Sequence, residues 1–360
     1  MPLESHNGKD AERAEEGPLC APDSSDHPDL RRILLIALLV VGAYLLLPQL
    51  AGVGRALRIL EQISPPYIAG ALAFQAISVL SHAQVVQQTL EIFGSSVRFL
   101  TVLEISLASS FATLFVPSVG LSGLALRCRY LGERGFSLEA TGVAFTIEAV
   151  GQAAAHAAMV TIAFAYRSAQ GRQPPWTFLA LVLSVLLLTA ASLVLLLAKP
   201  ARRDWRYRIL HGVNRLRRRQ DRPPIDEATL EHRLTDLRRS VAAVGTDAGL
   251  RLMLGNIGRN LAAALALYLT LLALNQRVPL SAVVLSYSLS DVLGGLSSLP
   301  AGLLVTETSL SALLNRAGAP LAMAVAATLV SRLITVWLPR GLGLVAWIDL
   351  QRRSKRPLWW

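Results

Sequence analysis

Two stretches of this chain, Ile33 to Gly54 and Trp176 to Ala198, are apolar without a single charged residue. Each reaches the roughly 20 residues that an α-helix needs to cross a hydrocarbon core. Further apolar segments at about 67–83, 141–165, 250–274 and 321–338 predict four more membrane helices. Two other apolar stretches, 97–126 and 280–314, are interrupted. The first breaks at Pro117-Ser118-Val119-Gly120-Leu121-Ser122-Gly123, the second at Pro300-Ala301-Gly302-Leu303. Behind the first break comes Gly135-Phe136-Ser137-Leu138, behind the second Gly318-Ala319-Pro320-Leu321. One and the same offset separates Pro117 from Pro300 and Gly135 from Gly318, the mark of an internal repeat. Irregular backbone inside a membrane is tolerated only where protein buries it or water reaches it. A pair of broken segments in matching halves is the usual sequence pointer to a transport site.

Composition agrees. Of 360 residues 53% are hydrophobic and 16% charged, and the mean hydropathy is +0.46, which points to an all-helical polytopic membrane protein. Residues 1–30 are polar and acidic, unlike a signal peptide, which starts basic and turns apolar at once. They read as a disordered cytoplasmic tail. Cys20 and Cys128 form no zinc or redox pattern.

The net charge of +11 is concentrated. Arginines and Lys199 crowd the stretch 199–222, and Arg352, Arg353, Lys355 and Arg356 close the chain. Basic loops beside membrane spans follow from the positive-inside rule, so nucleic acid is not an expected partner. With the 199–249 loop and both termini in the cytoplasm, the span at 33–51 runs outward and that at 67–83 returns. The span at 141–165 must run outward for 176–198 to return. The stretch 97–126 therefore begins and ends inside, as a re-entrant hairpin broken near Pro117. In the second half 280–314 begins and ends outside, broken near Pro300. The expected fold is an inverted-topology repeat of six full spans and two re-entrant hairpins, in a bacterial-type inner membrane; eight plain spans are the alternative. The transmembrane domain is 31–350, with repeat halves at about 67–165 and 250–348, the basic loop 199–249 and a basic tail 351–360. A short interfacial helix at 50–66 and an amphipathic helix at 226–240 complete the outline.

Ionisable groups within spans usually face a bundle interior or a cavity. Glu148, Gln152 and His156 recur every fourth residue and share one helix face. Arg259 and Asn260, near Asn256, sit in the span 250–274, and Arg332 in the last span. Glu104 and Asp291 lie in the first arms of the two hairpins, and Glu307 follows the second break. These groups either pair to hold the bundle or form a site. The candidate substrate-binding set is Arg259, Arg332, Glu148, Gln152, Asp291, Glu307 and Asn260. Arg259 and Arg332 suit an anionic group such as a lipid phosphate, with Glu148 and Asp291 as their partners in the empty site. His156 reads as a hydrogen-bonded helix residue, His82 as interfacial. The breaks at Pro117, Gly120, Gly123, Pro300 and Gly302 frame the site, although glycines there also permit close helix packing.

No metal-ligand cluster or P-loop is present. Gly52-Val53-Gly54 and Gly341-Leu342-Gly343 lack the third glycine of a dinucleotide site. Gly120-Leu121-Ser122-Gly123 is one residue short of a nucleophile elbow. Neither a cofactor nor enzymatic activity is expected.

These residues resemble the transmembrane region of lysylphosphatidylglycerol synthases, across about residues 30–350. The first-half match is Pro117-x-x-Gly120, Arg127, Gly135-Phe136-Ser137, Ala140 and Glu148. The second is Pro300-x-Gly302, Glu307, Gly318, Ala322, Arg332 and Leu338-Pro339-Arg340-Gly341. Members commonly have Glu-Arg where this chain has Glu148-Ala149, and Pro-Gly-Gly-x-Gly where it has Pro300-Ala301-Gly302-Leu303-Leu304. The resemblance implies a stand-alone, flippase-like member without the cytosolic synthase domain, moving an anionic or modified lipid (aminoacylated, polyprenyl-linked or hopanoid-type) between leaflets. A membrane subunit or enzyme of lipid modification, or a scaffold for a transferase or synthase partner, are the alternatives. Homo-oligomers are compatible with the sequence.

Overall fold

A computed structural model describes residues 64–93, 97–113, 121–171, 245–297 and 302–354. The expectations for the 1–30 tail, the spans 33–51 and 176–198, the helix at 226–240, and Pro117, Gly120 and Pro300 lie outside the described residues, as does nearly all of the segment 50–66 and of the loop 199–249.

The described residues form helices only: α1 (Pro65–Glu91), α2 (Phe99–Ala112), α3 (Leu121–Gly132), α4 (Leu138–Ala169), α5 (Thr246–Ala273), α6 (Leu280–Leu296), α7 (Val305–Arg316) and α8 (Leu321–Arg353). The order is long, short, short, long, and then the same again. At about 1.5 Å per residue, the 14 residues of α2 and the 12 of α3 and α7 reach well short of the roughly 30 Å hydrocarbon core, and the 17 of α6 also fall below it. The long helices are each apolar enough and long enough to cross. Their outward faces carry exposed Leu72 and Ile77 on α1, Ile162 on α4, Leu254 on α5 and Val345 on α8. In this apolar setting such faces suit contact with lipid.

Two hydrophobic clusters show where the short helices start and end. Leu90, Val97, Tyr130, Leu131, Phe136 and Ala144 pack together, so α2 leaves from the same end of the bundle to which α3 returns. Leu271, Leu274, Val278, Leu314, Ala319 and Ala324 do the same for α6 and α7. α8 begins in the second of these clusters and reaches the first through Leu350. The two hairpins are therefore rooted at opposite ends.

The closing turns match atom for atom. Phe136 N donates to Leu131 O and Gly135 N to Gly132 O; Ala319 N donates to Leu314 O and Gly318 N to Asn315 O. Each turn needs one residue with φ near the left-handed region, +90° at Gly135 and +111° at Gly318, which glycine adopts without a Cβ penalty. The offset seen in the sequence is thus a repeat of hydrogen bonds.

Packing between the halves is reciprocal. α2 lies along the C-terminal part of α8, and α6 lies along α4, while α1 and α5 pack on each other. At the second break a Cβ on Gly302 would stand 2.9 Å from Gly294 Cα, and at the first a Cβ on Gly123 would stand 3.1 Å from Ser109 O. Close packing of the hairpin arms thus accounts for these two glycines.

α8 is not uniform. Between the α-helical Leu321–Arg332 and Leu338–Arg353 runs a π-helical turn, Leu333–Trp337. Pro339 has no N–H to return to the carbonyl four residues back. That carbonyl, on Thr335, instead lies 3.4 Å from Gln75 Nε2 of α1, which donates to it. Widened turns of this kind recur at functional sites.

Candidate functional site: a polar cavity between the two halves

The stripe on α4 meets a different partner at each step. Glu148 turns to α3, where Arg127 Nη1 donates to Oε2 at 2.5 Å. Its other oxygen lies 3.2 Å from Nδ1 of His82 on α1, and His82 Nε2 is 3.3 Å from Arg127 Nη2. Arg127 is 8% exposed and Glu148 9%, so this is a buried three-residue cluster. One turn along, Gln152 Nε2 donates to Asn260 Oδ1 at 3.0 Å, and Gln152 Oε1 accepts from Arg259 Nη1 at 3.3 Å. One turn further, His156 Nε2 lies 3.0 Å from Asp291 Oδ2 on α6. In the second half Arg332 Nε donates to Glu307 Oε1 of α7 at 2.6 Å.

In each half the last short helix is thus pinned to the following long helix by an ion pair, buried in the first half and half-buried in the second. The polarity is reversed: arginine sits on the hairpin arm in the first half and on the long helix in the second.

Between the halves lies a cavity of about 230 Å³. α1 supplies Gln75, Ser78 and His82 to its wall, α2 supplies Ser106 and Ser110, and α6 supplies Tyr287, Ser290 and Asp291. Cationic walls come from Arg259 on α5 and from Arg332 and Arg340 on α8. These three arginines differ. Arg332 is held by Glu307. Among the described residues Arg259 bonds to the neutral Gln152 alone. Arg340 gives one Nη to the Val336 carbonyl at 3.3 Å, and its Nε is buried without a partner. Among the described residues neither Arg259 nor Arg340 has a carboxylate within salt-bridge distance.

Of the residues singled out from the sequence, Arg259, Arg332, Gln152 and Asp291 line this cavity. Asn260 is buried behind it through Gln152, and Gly302 lies at the second break beside Gly294. Glu148 sits to one side, in its own pocket with Arg127, and Glu307 serves Arg332. The expected pairing of Glu148 and Asp291 with Arg259 and Arg332 is replaced by Arg127–Glu148, His156–Asp291 and Glu307–Arg332. For the first and third pairs the reason is reach: α3 and α7 return beside α4 and α8 and present a partner sooner than the opposite half does, whereas His156–Asp291 joins α4 to α6 across the halves. His82, read as interfacial, instead faces the cavity and Glu148. Arg127 is a buried residue of α3, neutralised where it stands. Glu104 lies 3.8 Å from Arg353 near the end of α8, away from the cavity wall. Sequence reasoning also left Arg340 among the residues that end a span; the Pro339 beside it was the signal that the helix is deformed there.

Four helices long and apolar enough to cross a membrane, packed with shorter apolar helices around a polar cavity, describe an all-helical membrane protein. The family model of the lysylphosphatidylglycerol synthase TM region matches residues 34–343, and the chain belongs to that family. Among curated proteins, no sequence match is found.

Proposed function

We propose that this protein moves an anionic or modified phospholipid between the two leaflets and is not itself an enzyme. The observation that carries the reading is the pair Arg259 and Arg340: two guanidinium groups lining one cavity, neither with a carboxylate within salt-bridge distance among the described residues. Asp291 is the acid on the same wall, but the arginines Arg259, Arg332 and Arg340 outnumber it, and charge out of water is costly, so the cavity favours an entering anion. The guanidinium fork suits phosphate oxygens. A volume of about 230 Å³ accommodates a headgroup, while acyl chains would stay in the bilayer. The family's lipid-related character supports the same reading.

For the fold we propose an inverted-topology repeat of six spans and two re-entrant hairpins, in a bacterial-type inner membrane with both termini cytoplasmic. The end where Arg129, Arg134, Arg352 and Arg353 gather would face the cytoplasm; Ser354 Oγ bonds there to Glu133, 3.5 Å from Arg129. Cysteines at Gln276 and Asn315 should both label from the periplasmic side, and one at Arg134 only after the membrane is permeabilised. Labelling of Gln276→Cys and Asn315→Cys from opposite faces would remove the second hairpin.

The function is tested in vesicles. Purified protein should speed the exchange of labelled phosphatidylglycerol between leaflets well above protein-free vesicles, and labelled phosphatidylcholine much less. Equal rates for both lipids, or no acceleration across a panel of anionic and aminoacylated headgroups, would sink the reading.

A further inference from the structure

The cavity holds one acid whose counter-charge can come and go. Glu148 and Glu307 are each paired with an arginine, and arginine stays charged at any physiological pH. Asp291 is paired with His156, a side chain that, unlike arginine, can be neutral or protonated. The Asp291 side chain is 42% exposed, towards the cavity it lines, while that of His156 is 3% exposed. The acid thus meets whatever enters the cavity, and its partner is sealed behind it.

Hydrogen-bond directions tie this pair to the anion site. Arg259 can only donate, so the Gln152 atom it bonds is the amide oxygen. The Gln152 nitrogen must then face the other way, towards Asn260 Oδ1 and, at 3.0 Å, towards His156 Nε2. Nε2 therefore meets an N–H donor and a carboxylate oxygen, both at 3.0 Å. It accepts from Gln152 only while unprotonated, and donates to Asp291 only when protonated. If Arg259 turns to a phosphate, Gln152 loses that bond but stays tied to Asn260 through both atoms of its amide. His156 Nδ1 is buried without a partner, so the ring's other nitrogen imposes no competing tautomer.

We propose that the Asp291–His156 pair is a proton-binding site linked to the anion site, so that one proton and one phosphodiester headgroup occupy the cavity together. This rests on the reading of the cavity as an anion site. The electrostatics set the sign. Arg259, Arg332 and Arg340 are the charged neighbours of Asp291. Glu307 is tied to Arg332, His82 faces Glu148, and Tyr287 stands with its ring 6.2 Å from His156. With the pair deprotonated, Asp291 opposes an entering phosphate; with the pair protonated, that negative charge is compensated. Binding the anion therefore favours the proton, and by linkage the proton favours the anion. Affinity should be highest at low pH and fall as pH rises through the titration of the pair.

The test is calorimetric titration of short-chain phosphatidylglycerol into the full chain in nanodiscs, across about pH 5 to 8, in two buffers of different ionisation enthalpy. The expected result is a Kd that rises with pH, by up to about tenfold per pH unit for one linked proton, with up to one proton taken up per headgroup. Asp291→Asn, which keeps the size but not the charge, should bind with a Kd that no longer varies with pH and without proton uptake. Tail-less glycerophosphoglycerol should bind more weakly with the same pH slope; equal affinity would assign the cavity to a soluble phosphodiester and overturn the lipid reading. A wild-type Kd that is constant with pH, with the same heat in both buffers, overturns the linkage and leaves the anion site standing. Absence of binding at every pH overturns the anion site and the linkage with it. Should Asp291→Asn fail to fold, the wild-type comparison between buffers decides the matter alone.

Discussion

Arg259→Ala is expected to leave the bundle folded and to slow anionic-lipid exchange by about ten- to a hundred-fold. The size follows from the loss of one charge-assisted hydrogen-bonded contact, about 1.5–3 kcal/mol, at roughly tenfold per 1.4 kcal/mol. Folding should survive because Arg259 holds up little: its side chain gives one bond to Gln152, which keeps a second to Asn260. Arg259→Lys should recover part of the rate, since the charge returns but the two-pronged geometry does not. The measurement is exchange of labelled phosphatidylglycerol in vesicles, with thermal unfolding as the control. A well-folded Arg259→Ala protein with undiminished exchange would remove Arg259 from the site.

The largest effect on stability is expected from Glu148→Ala. Its carboxylate answers the buried Arg127 and lies beside the half-buried His82. Removing it leaves an uncompensated guanidinium in the bundle, at a cost of about 3–5 kcal/mol. Thermal unfolding in detergent should show a large drop in midpoint, or the protein should fail to accumulate. The double replacement Arg127→Met with Glu148→Leu removes both charges and should restore most of the stability. If the single variant unfolds like wild type, the cluster does not hold α3 against α4. The same argument applies more weakly to Arg332→Ala, which strands Glu307. Arg332 thus has a structural duty that its position in a span did not reveal, and Arg259 and Arg340 are the cleaner probes of anion binding.

Much of the architecture could be read without coordinates. Four of the spans and the common offset of Gly135 and Gly318 were visible because a membrane constrains local sequence so strongly. Apolar runs must reach a set length, and freed backbone must be marked by glycine or proline. The stripe Glu148–Gln152–His156 was visible for a similar reason, since helical periodicity alone puts the three on one face.

What each polar residue faces could not be read in this way. Arg127, Arg332 and Arg340 are all arginines in or beside apolar sequence, yet one is sealed against Glu148, one is held by Glu307 and one has a buried Nε without a partner. Nothing local distinguishes them. The pairing depends on where α3 and α7 return against α4 and α8, and on the π-turn before Pro339. His82 came to the cavity only because α1 packs between the halves. Sequence by itself determined which segments suit lipid and where the backbone breaks, because those depend on composition over a few turns. The tertiary structure decided which charges are paired and which are not, because neutralisation depends on distances of a few ångströms between segments far apart in the chain.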